Sequence, residues 1–257
     1  AVGSGALQTM EPSAGDTYNT AVGFSAGGAI TTSTNNTLIG GLAGAAVTTG
    51  LKNTLIGSLA GDALTEGEAN VAIGYEALSG DSHGRRTVAI GHGALKVQDF
   101  DSETSSFNTA VGYNSGTAVT TGVQNTIIGG LAGDAITTAN ENTVVGYLSG
   151  SALTTGLQNT FLGAKTGDAS TVGTRNTALG YDSLKALTKE LLDFNAELFL
   201  ENEFYNDIKS ELSNPSVYQT FNTLDKSFDL FVSIGGDGTI LRAITFVKDL
   251  NIPIIGI

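Results

Sequence analysis

The chain has 257 residues, with 12 basic against 25 acidic side chains, a net charge of −13, 35 glycines and no cysteine. No disulfide can form, the acidic field excludes nucleic-acid binding through net charge, and no run of about eighteen apolar residues exists to span a membrane. Composition breaks near Leu184. Residues 1–184 hold 31 of the 35 glycines, whereas the last 73 residues hold nine of the eighteen aromatics. Two domains are expected, 1–184 and 185–257, with charges of −8 (six basic, fourteen acidic) and −5 (six basic, eleven acidic).

The first domain is a tandem repeat. Its recurring unit ends on Gly23, Gly40, Gly57, Gly74, Gly91, Gly112, Gly129, Gly146, Gly163 and Gly180. Every step is seventeen residues except the twenty-one from Gly91 to Gly112. The extra four fall in Gln98-Asp99-Phe100-Asp101-Ser102-Glu103, which reads as a surface loop. Asn stands four before the glycine at positions 19, 36, 53, 70, 108, 125, 142, 159 and 176. A period this short predicts a solenoid with one rung per repeat. Apolar runs of two or three, broken by Gly and Asn, predict strands rather than helices.

Stacked rungs about 4.8 Å apart bring identical positions into ladders. An Asn ladder and a Thr ladder are expected, and Asn side chains can bond to one another along the rod. Val22, Ile39, Ile56, Ile73, Ile90, Val111, Ile128, Val145, Leu162 and Leu179 are expected to form a buried line. The residue before each is also apolar, and neighbours on a strand point to opposite faces. One face is therefore expected to meet another copy of the chain in a symmetric oligomer.

Nothing in the repeats spells out catalysis. Asp62, Asp134 and Asp168 share one repeat position, but three copies in ten suit a solvated edge better than a calcium site. His83 and His92 flank Arg85 and Arg86, without a carboxylate or Cys cluster to hold a metal.

Asn-Thr-Ala-Val-Gly-Phe-Ser-Ala (19–26) and Asn-Val-Ala-Ile-Gly-Tyr-Glu-Ala (70–77) resemble the left-handed parallel β-roll heads of trimeric autotransporter adhesins, and the repeat shafts of some phage tail fibres. The resemblance implies a trimeric rod, extracellular or on a virion, with adhesive or structural duties. The seventeen-residue period is longer than the usual repeat of those heads.

Beyond Leu184, Lys185 to Asn195 reads as an amphipathic helix, Glu197 to Leu200 as a short strand and Asn202 to Leu212 as a second helix. Leu230-Phe231-Val232-Ser233-Ile234 is a continuous apolar run of the kind that forms a strand buried on both faces. Gly235-Gly236-Asp237-Gly238-Thr239 follows, and Ile240, Leu241, Ile244, Val247 and Leu250 then mark one face of a helix. Strand, glycine turn and helix N-terminus make an anion site. Glycine lets the backbone approach closely, and free N–H groups of the first helical turn point at a phosphate. A tight turn with Asp237 merely capping the helix is the plainer reading.

The run from Ser227 to Ala243 resembles the nucleotide-binding core of NAD kinases, and Asn251 to Ile257 is similar to their next strand. Diacylglycerol and sphingosine kinases share the pentapeptide, but Asn-Glu usually follows there, where this chain has Ile240-Leu241-Arg242. The resemblance implies a three-layer α/β nucleotide-binding segment. Gly235, Gly236, Gly238 and Thr239 would line the phosphate-bearing turn, and Asp237 would face the 2′-hydroxyl of NAD while ATP supplies the phosphoryl group. Phosphoryl transfer implies Mg²⁺, although no residue is named to hold it.

The family's first strand is missing before Lys185, and Ile257 falls inside a strand. Ala1 to Leu7 matches Ala89 to Leu95, so the chain opens within a repeat, and both ends read as cut. Three readings follow: part of an NAD kinase, inactive as it stands; a structural or adhesive rod with a passenger; or two unrelated genes joined. A cofactor kinase implies the cytoplasm, and the repeats imply the cell exterior or a virion.

Overall fold

A computed structural model describes residues 1–10, 16–168 and 170–183, together with backbone strands at 199–201, 219–221, 231–233 and 254–256. The chain divides into two compact units, Ala1–Lys185 and Ala186–Ile257. The described residues contain strands and turns and no helix.

The first unit is a parallel β solenoid. Its strands are β1 (Thr20–Val22), β2 (Thr37–Ile39), β3 (Thr54–Ile56), β4 (Val71–Ile73), β5 (Gly84–Arg85), β6 (Val88–Ile90), β7 (Thr104–Ser105), β8 (Thr109–Val111), β9 (Thr126–Ile128), β10 (Thr143–Val145), β11 (Thr160–Leu162) and β12 (Thr177–Leu179). All but β5 and β7 form one ten-stranded sheet, paired in chain order. The register puts like on like: Thr37, Leu38 and Ile39 face Thr54, Leu55 and Ile56. β5 and β7 form a second, two-stranded parallel pair beside the twenty-one-residue step. Val2 bridges to Val22 and adds part of one more rung.

Each strand of the ten-stranded sheet stops after three residues because its flanks require it. Gly40 has φ +138°, and a Cβ there would collide with the carbonyl of Gly57 on the next rung. Only glycine combines that backbone angle with so close an approach. Asn precedes the strand, and its side chain holds the corner. Asn53 Nδ2 donates to Gly67 O at 2.8 Å across its own rung. Asn53 Oδ1 accepts the backbone N–H of Asn70 on the next rung at 3.0 Å. The same two bonds recur from Asn36 to Gly50 and Asn53, and from Asn125 to Ala139 and Asn142. The Asn ladder thus works chiefly through the backbone. Direct side-chain bonds such as Asn159 Nδ2 to Asn142 Oδ1, 3.0 Å, are added on several rungs.

The line expected to be buried faces outward. Val22, Ile39, Ile128 and Leu162 are 37–45% exposed, and Ile56 and Ile73 are half-buried. The preceding residues fill the core instead: Ala21, Leu38, Leu55, Ala72, Ala89, Ala110, Ile127, Val144, Phe161 and Ala178. Both positions are apolar, so the period alone fits either inward assignment. Size misleads too, because the strand residue shares the interior with a corner residue six further on. Leu55 lies against Gly61, Ile127 against Gly133 and Phe161 against Gly167. Where the strand offers only Ala72 or Ala89, Leu78 or Leu95 fills the space from the corner. Ile30, Val47, Leu64, Val119, Ile136 and Leu153 line the opposite wall.

One stretch of the core is polar. Asp81 and Gln98 take places in that wall, and Thr87 takes the Asn position. Gln98 Nε2 donates to Asp81 Oδ2 at 2.6 Å, Gly84 N–H donates to Asp81 Oδ1 at 2.8 Å, and Asn108 Nδ2 donates to Gln98 Oε1 at 2.8 Å. Thr87 and Ser106 hydroxyls, 2.6 Å apart, carry the ladder across the insertion to Asn108. The expected surface loop is therefore only partly one. Gln98 and Phe100 are buried, whereas Asp99, Asp101, Ser102 and Glu103 are exposed.

In the second unit, β13 (Phe199–Glu201) pairs in parallel with β14 (Gln219–Phe221). β15 (Phe231–Ser233) pairs in parallel with β16 (Ile254–Gly256). β13 overlaps the expected Glu197–Leu200 strand, and β15 lies within the expected Leu230–Ile234. The expected helices, Lys185–Asn195 and Asn202–Leu212, lie outside the described residues.

Candidate functional site

The most chemically explicit segment is framed by β15 and β16. Phe231 pairs with Ile254, Val232 with Ile255 and Ser233 with Gly256. Two neighbouring parallel strands need a crossover of a dozen or more residues, and residues 234–253 supply twenty. The glycine-rich pentapeptide begins two residues after Ser233, at the carboxyl end of its strand, where open α/β sheets bind ligands. Gly235, Gly236, Asp237, Gly238 and Thr239 themselves lie outside the described residues. β14 has no counterpart among the expected strands. Its signal is present in Val217-Tyr218-Gln219-Thr220-Phe221, a β-branched and aromatic run directly after Asn214-Pro215-Ser216.

Comparison with known proteins decides the nature of this segment. A family model for the ATP-NAD kinase N-terminal domain matches residues 182–257. The C-terminal region is thus similar to the N-terminal domain of NAD kinases. An NAD kinase of Christiangramia forsetii is 47% identical over 72 residues, covering 26% of this chain and 24% of the relative. One of Flavobacterium johnsoniae is 37% identical over 83 residues, covering 30% and 28%. One of Porphyromonas gingivalis strain W83 is 32% identical over 76 residues, covering 29% and 26%. The chain thus spans about a quarter of the length of these curated NAD kinases. No solved structure matches it.

The solenoid places its own polar residues differently from the expectation. His83 and His92, read from sequence as flanking one loop, stand in different settings. His83 Nδ1 lies 2.8 Å from Ser82 Oγ and 3.1 Å from Phe100 O. Ser82 Oγ donates to Asp99 Oδ1 at 2.7 Å. A carbonyl only accepts, so the Phe100 contact is a hydrogen bond in the tautomer that carries its hydrogen on Nδ1. His92 instead stacks between Tyr75 and Tyr113, with ring centroids 5.3 and 5.2 Å apart. Arg85 pairs with Glu103 and Glu68, and Arg86 lies over the Phe107 ring at 5.8 Å.

Asp62, Asp134 and Asp168 repeat along one corner, each with a buried Oδ1 that no other residue reaches with a well-formed hydrogen bond; for Asp62 and Asp134 only their own backbone N–H offsets the burial. Burial raises the pKa of Asp62 and Asp134 above the ordinary 3.8. The nearest two are two rungs apart, about 10 Å, whereas ligands of one calcium lie about 2.3–2.6 Å from the ion. The corner is a row of separate, half-buried carboxylates rather than the solvated edge expected. Asp81 is fully buried, and burial likewise raises its pKa.

Among the described residues no group of three His, Cys, Asp or Glu side chains could hold a metal, and no helix is long and apolar enough to cross a membrane.

Proposed function

We propose that residues 182–257 supply the phosphate-binding turn of an NAD kinase, which transfers a phosphoryl group from ATP to the 2′-hydroxyl of NAD. The observation that carries this reading is the coincidence of the family match with Gly235-Gly236-Asp237-Gly238-Thr239 following a parallel strand. In this reading Gly235, Gly236, Gly238 and Thr239 wrap the phosphates, and Asp237 accepts the hydrogen of the attacking hydroxyl or orients it. ATP and NAD are the substrates, and Mg²⁺ neutralises the transferred group.

A polypeptide of these 257 residues covers 24% of the length of the Christiangramia forsetii kinase. Transfer requires both nucleotides held in line, and misplacement alone costs about a hundredfold. On its own the polypeptide is expected to be inactive. The test grafts residues 186–257 onto the remainder of that kinase and measures NADP formed from NAD, ATP and Mg²⁺. The graft is expected to be active and its Asp237→Asn variant inactive. An active Asp237→Asn graft overturns the assignment of Asp237, an inactive parent graft overturns the kinase reading, and NADP made by the 257-residue chain overturns only its expected inactivity.

For residues 1–184 we propose a structural, self-associating rod, of the kind that serves in surface adhesion or in a phage tail fibre. The outward row from Val22 to Leu179 favours it, because every one of ten rungs presents a Val, Ile or Leu. A continuous apolar row on a sheet face is the mark of an interface, and three-fold packing of such faces yields a trimer. Analytical ultracentrifugation of the full chain tests this. A folded monomer at micromolar concentration rules it out. The family match begins at residue 182 and leaves the solenoid outside it, as a join of two separate genes also requires.

A further inference from the structure

The residue after each repeat glycine forms an outward row that is aromatic on some rungs and small on others. It reads Phe24, Gly41, Ser58, Tyr75, His92, Tyr113, Gly130, Tyr147, Ala164 and Tyr181. At Tyr75, His92 and Tyr113 three successive rungs stack their rings face to face, 29° and 25° from parallel. Two tyrosines two rungs apart therefore accept one planar ring between them. The next pairs repeat this arrangement without the ring. Tyr113 and Tyr147, 56% and 55% exposed, flank Gly130. Tyr147 and the exposed Tyr181 flank Ala164. The Tyr147 ring leans over Gly130, where a Cβ would meet only its Cδ2, at 3.8 Å. Two rungs set the backbones of flanking tyrosines about 10 Å apart, the separation that at Tyr75 and Tyr113 holds one intervening ring with a contact on each side.

We infer that the slots over Gly130 and Ala164 bind planar cations, the guanidinium or imidazolium of an Arg- or His-bearing partner segment. Three observations converge on that class. The slot already holds an imidazole, that of His92, in the same molecule. Tyrosine faces attract cations, Arg most often. The repeats carry six basic against fourteen acidic residues, so the field around the rod draws in cations and repels nucleotides. This inference concerns the rod alone and does not depend on the kinase reading.

The test titrates the full chain with N-acetyl-arginine amide and, separately, N-acetyl-lysine amide, following tyrosine ring resonances by NMR. Arginine amide is expected to shift the Tyr113 and Tyr147 rings saturably, with lysine amide at least tenfold weaker. Gly130→His, which fills the slot with the ring that His92 supplies one stack away, is expected to remove the Tyr113 response and leave that at Tyr181. Gly130 lies outside the left-handed φ region and a Cβ there makes only an ordinary contact with the Tyr147 ring, so this variant is expected to fold. Unsaturable shifts, equal response to lysine, or an unchanged Tyr113 response in Gly130→His overturn the proposal.

Discussion

Asn53 and Asn70 stand seventeen residues apart in sequence and one rung apart in space, and the side chain of the first completes the backbone of the second. Asn70 N–H donates to Asn53 Oδ1 at 3.0 Å while Asn53 Nδ2 donates to Gly67 O at 2.8 Å, and Asn53 is fully buried. Removing that side chain strands one donor and one acceptor away from water. Asn53→Ala is expected to cost about 2–5 kcal/mol, since each unsatisfied buried group costs about 1–3. Chemical denaturation of the full chain measures it, and a loss under about 1 kcal/mol contradicts the ladder's role.

Ile127 and Ile128 are adjacent and opposite. Ile127 is fully buried, whereas Ile128 is 37% exposed. Ile127→Ala is expected to destabilise the fold by about 2–5 kcal/mol through the cavity it leaves. Ile128→Ser should leave the fold of one chain almost unchanged and weaken self-association. Denaturation and sedimentation of the two variants separate these effects, and the reverse pattern would restore the inward line first expected.

Two glycines make a matched pair. Gly57 has φ +136°, and a Cβ there would strike the carbonyl of Gly74 on the next rung. Gly130 has neither constraint. Gly57→Ala is expected to cost about 2–5 kcal/mol from backbone strain and overpacking. Gly130→Ala should be neutral or stabilising by about 0.4–1 kcal/mol, because it restricts the unfolded chain. Thermal melts of both variants make the comparison.

The corner carboxylates predict a pH dependence. Burial raises the folded pKa of Asp62 and Asp134 above 3.8. Between 3.8 and the raised value the folded chain holds more protons than the unfolded one, so stability falls as pH rises through that window. The penalty is fully present above the folded pKa and absent below about 3.8. Ser79 and Ser151 already occupy the same position on neighbouring rungs. The double variant Asp62→Ser, Asp134→Ser is expected to be more stable than the parent at neutral pH, with the difference vanishing on acidification. A difference independent of pH would show that the orphaned oxygens do not matter.

The solenoid is legible in the sequence because its signal is additive. Ten glycines, seventeen residues apart at every step but one, with Asn four before nine of them, fix both the rung and the register. Orientation is not legible, since Leu38 and Ile39 are equally apolar and only the corner residue decides which fits inside. The burial of Gln98 and Phe100 is hidden because polar residues elsewhere in that loop mark a surface. Gln98 lies inside because Asp81 and Thr87 accept its hydrogens and Asn108 donates to its oxygen, partners far from it in sequence. In the C-terminal region the motif is readable from the order of five residues, Gly235 to Thr239, and the family match falls on the segment that contains them. The Gln219–Phe221 strand is harder to see because each of its residues pairs with one twenty residues upstream, in Phe199–Glu201.

The like-on-like register from Thr20 to Leu179 makes the rod modular. Each rung bonds to the ones before and after it, so adding or deleting a whole seventeen-residue unit leaves every remaining interface of the same kind. Length is then free to drift by duplication, and reach can be set independently of whatever lies at either end. The same arrangement governs failure under load. Tension along the axis peels end rungs one at a time, so a longer rod extends further before it gives way while resisting with the same force.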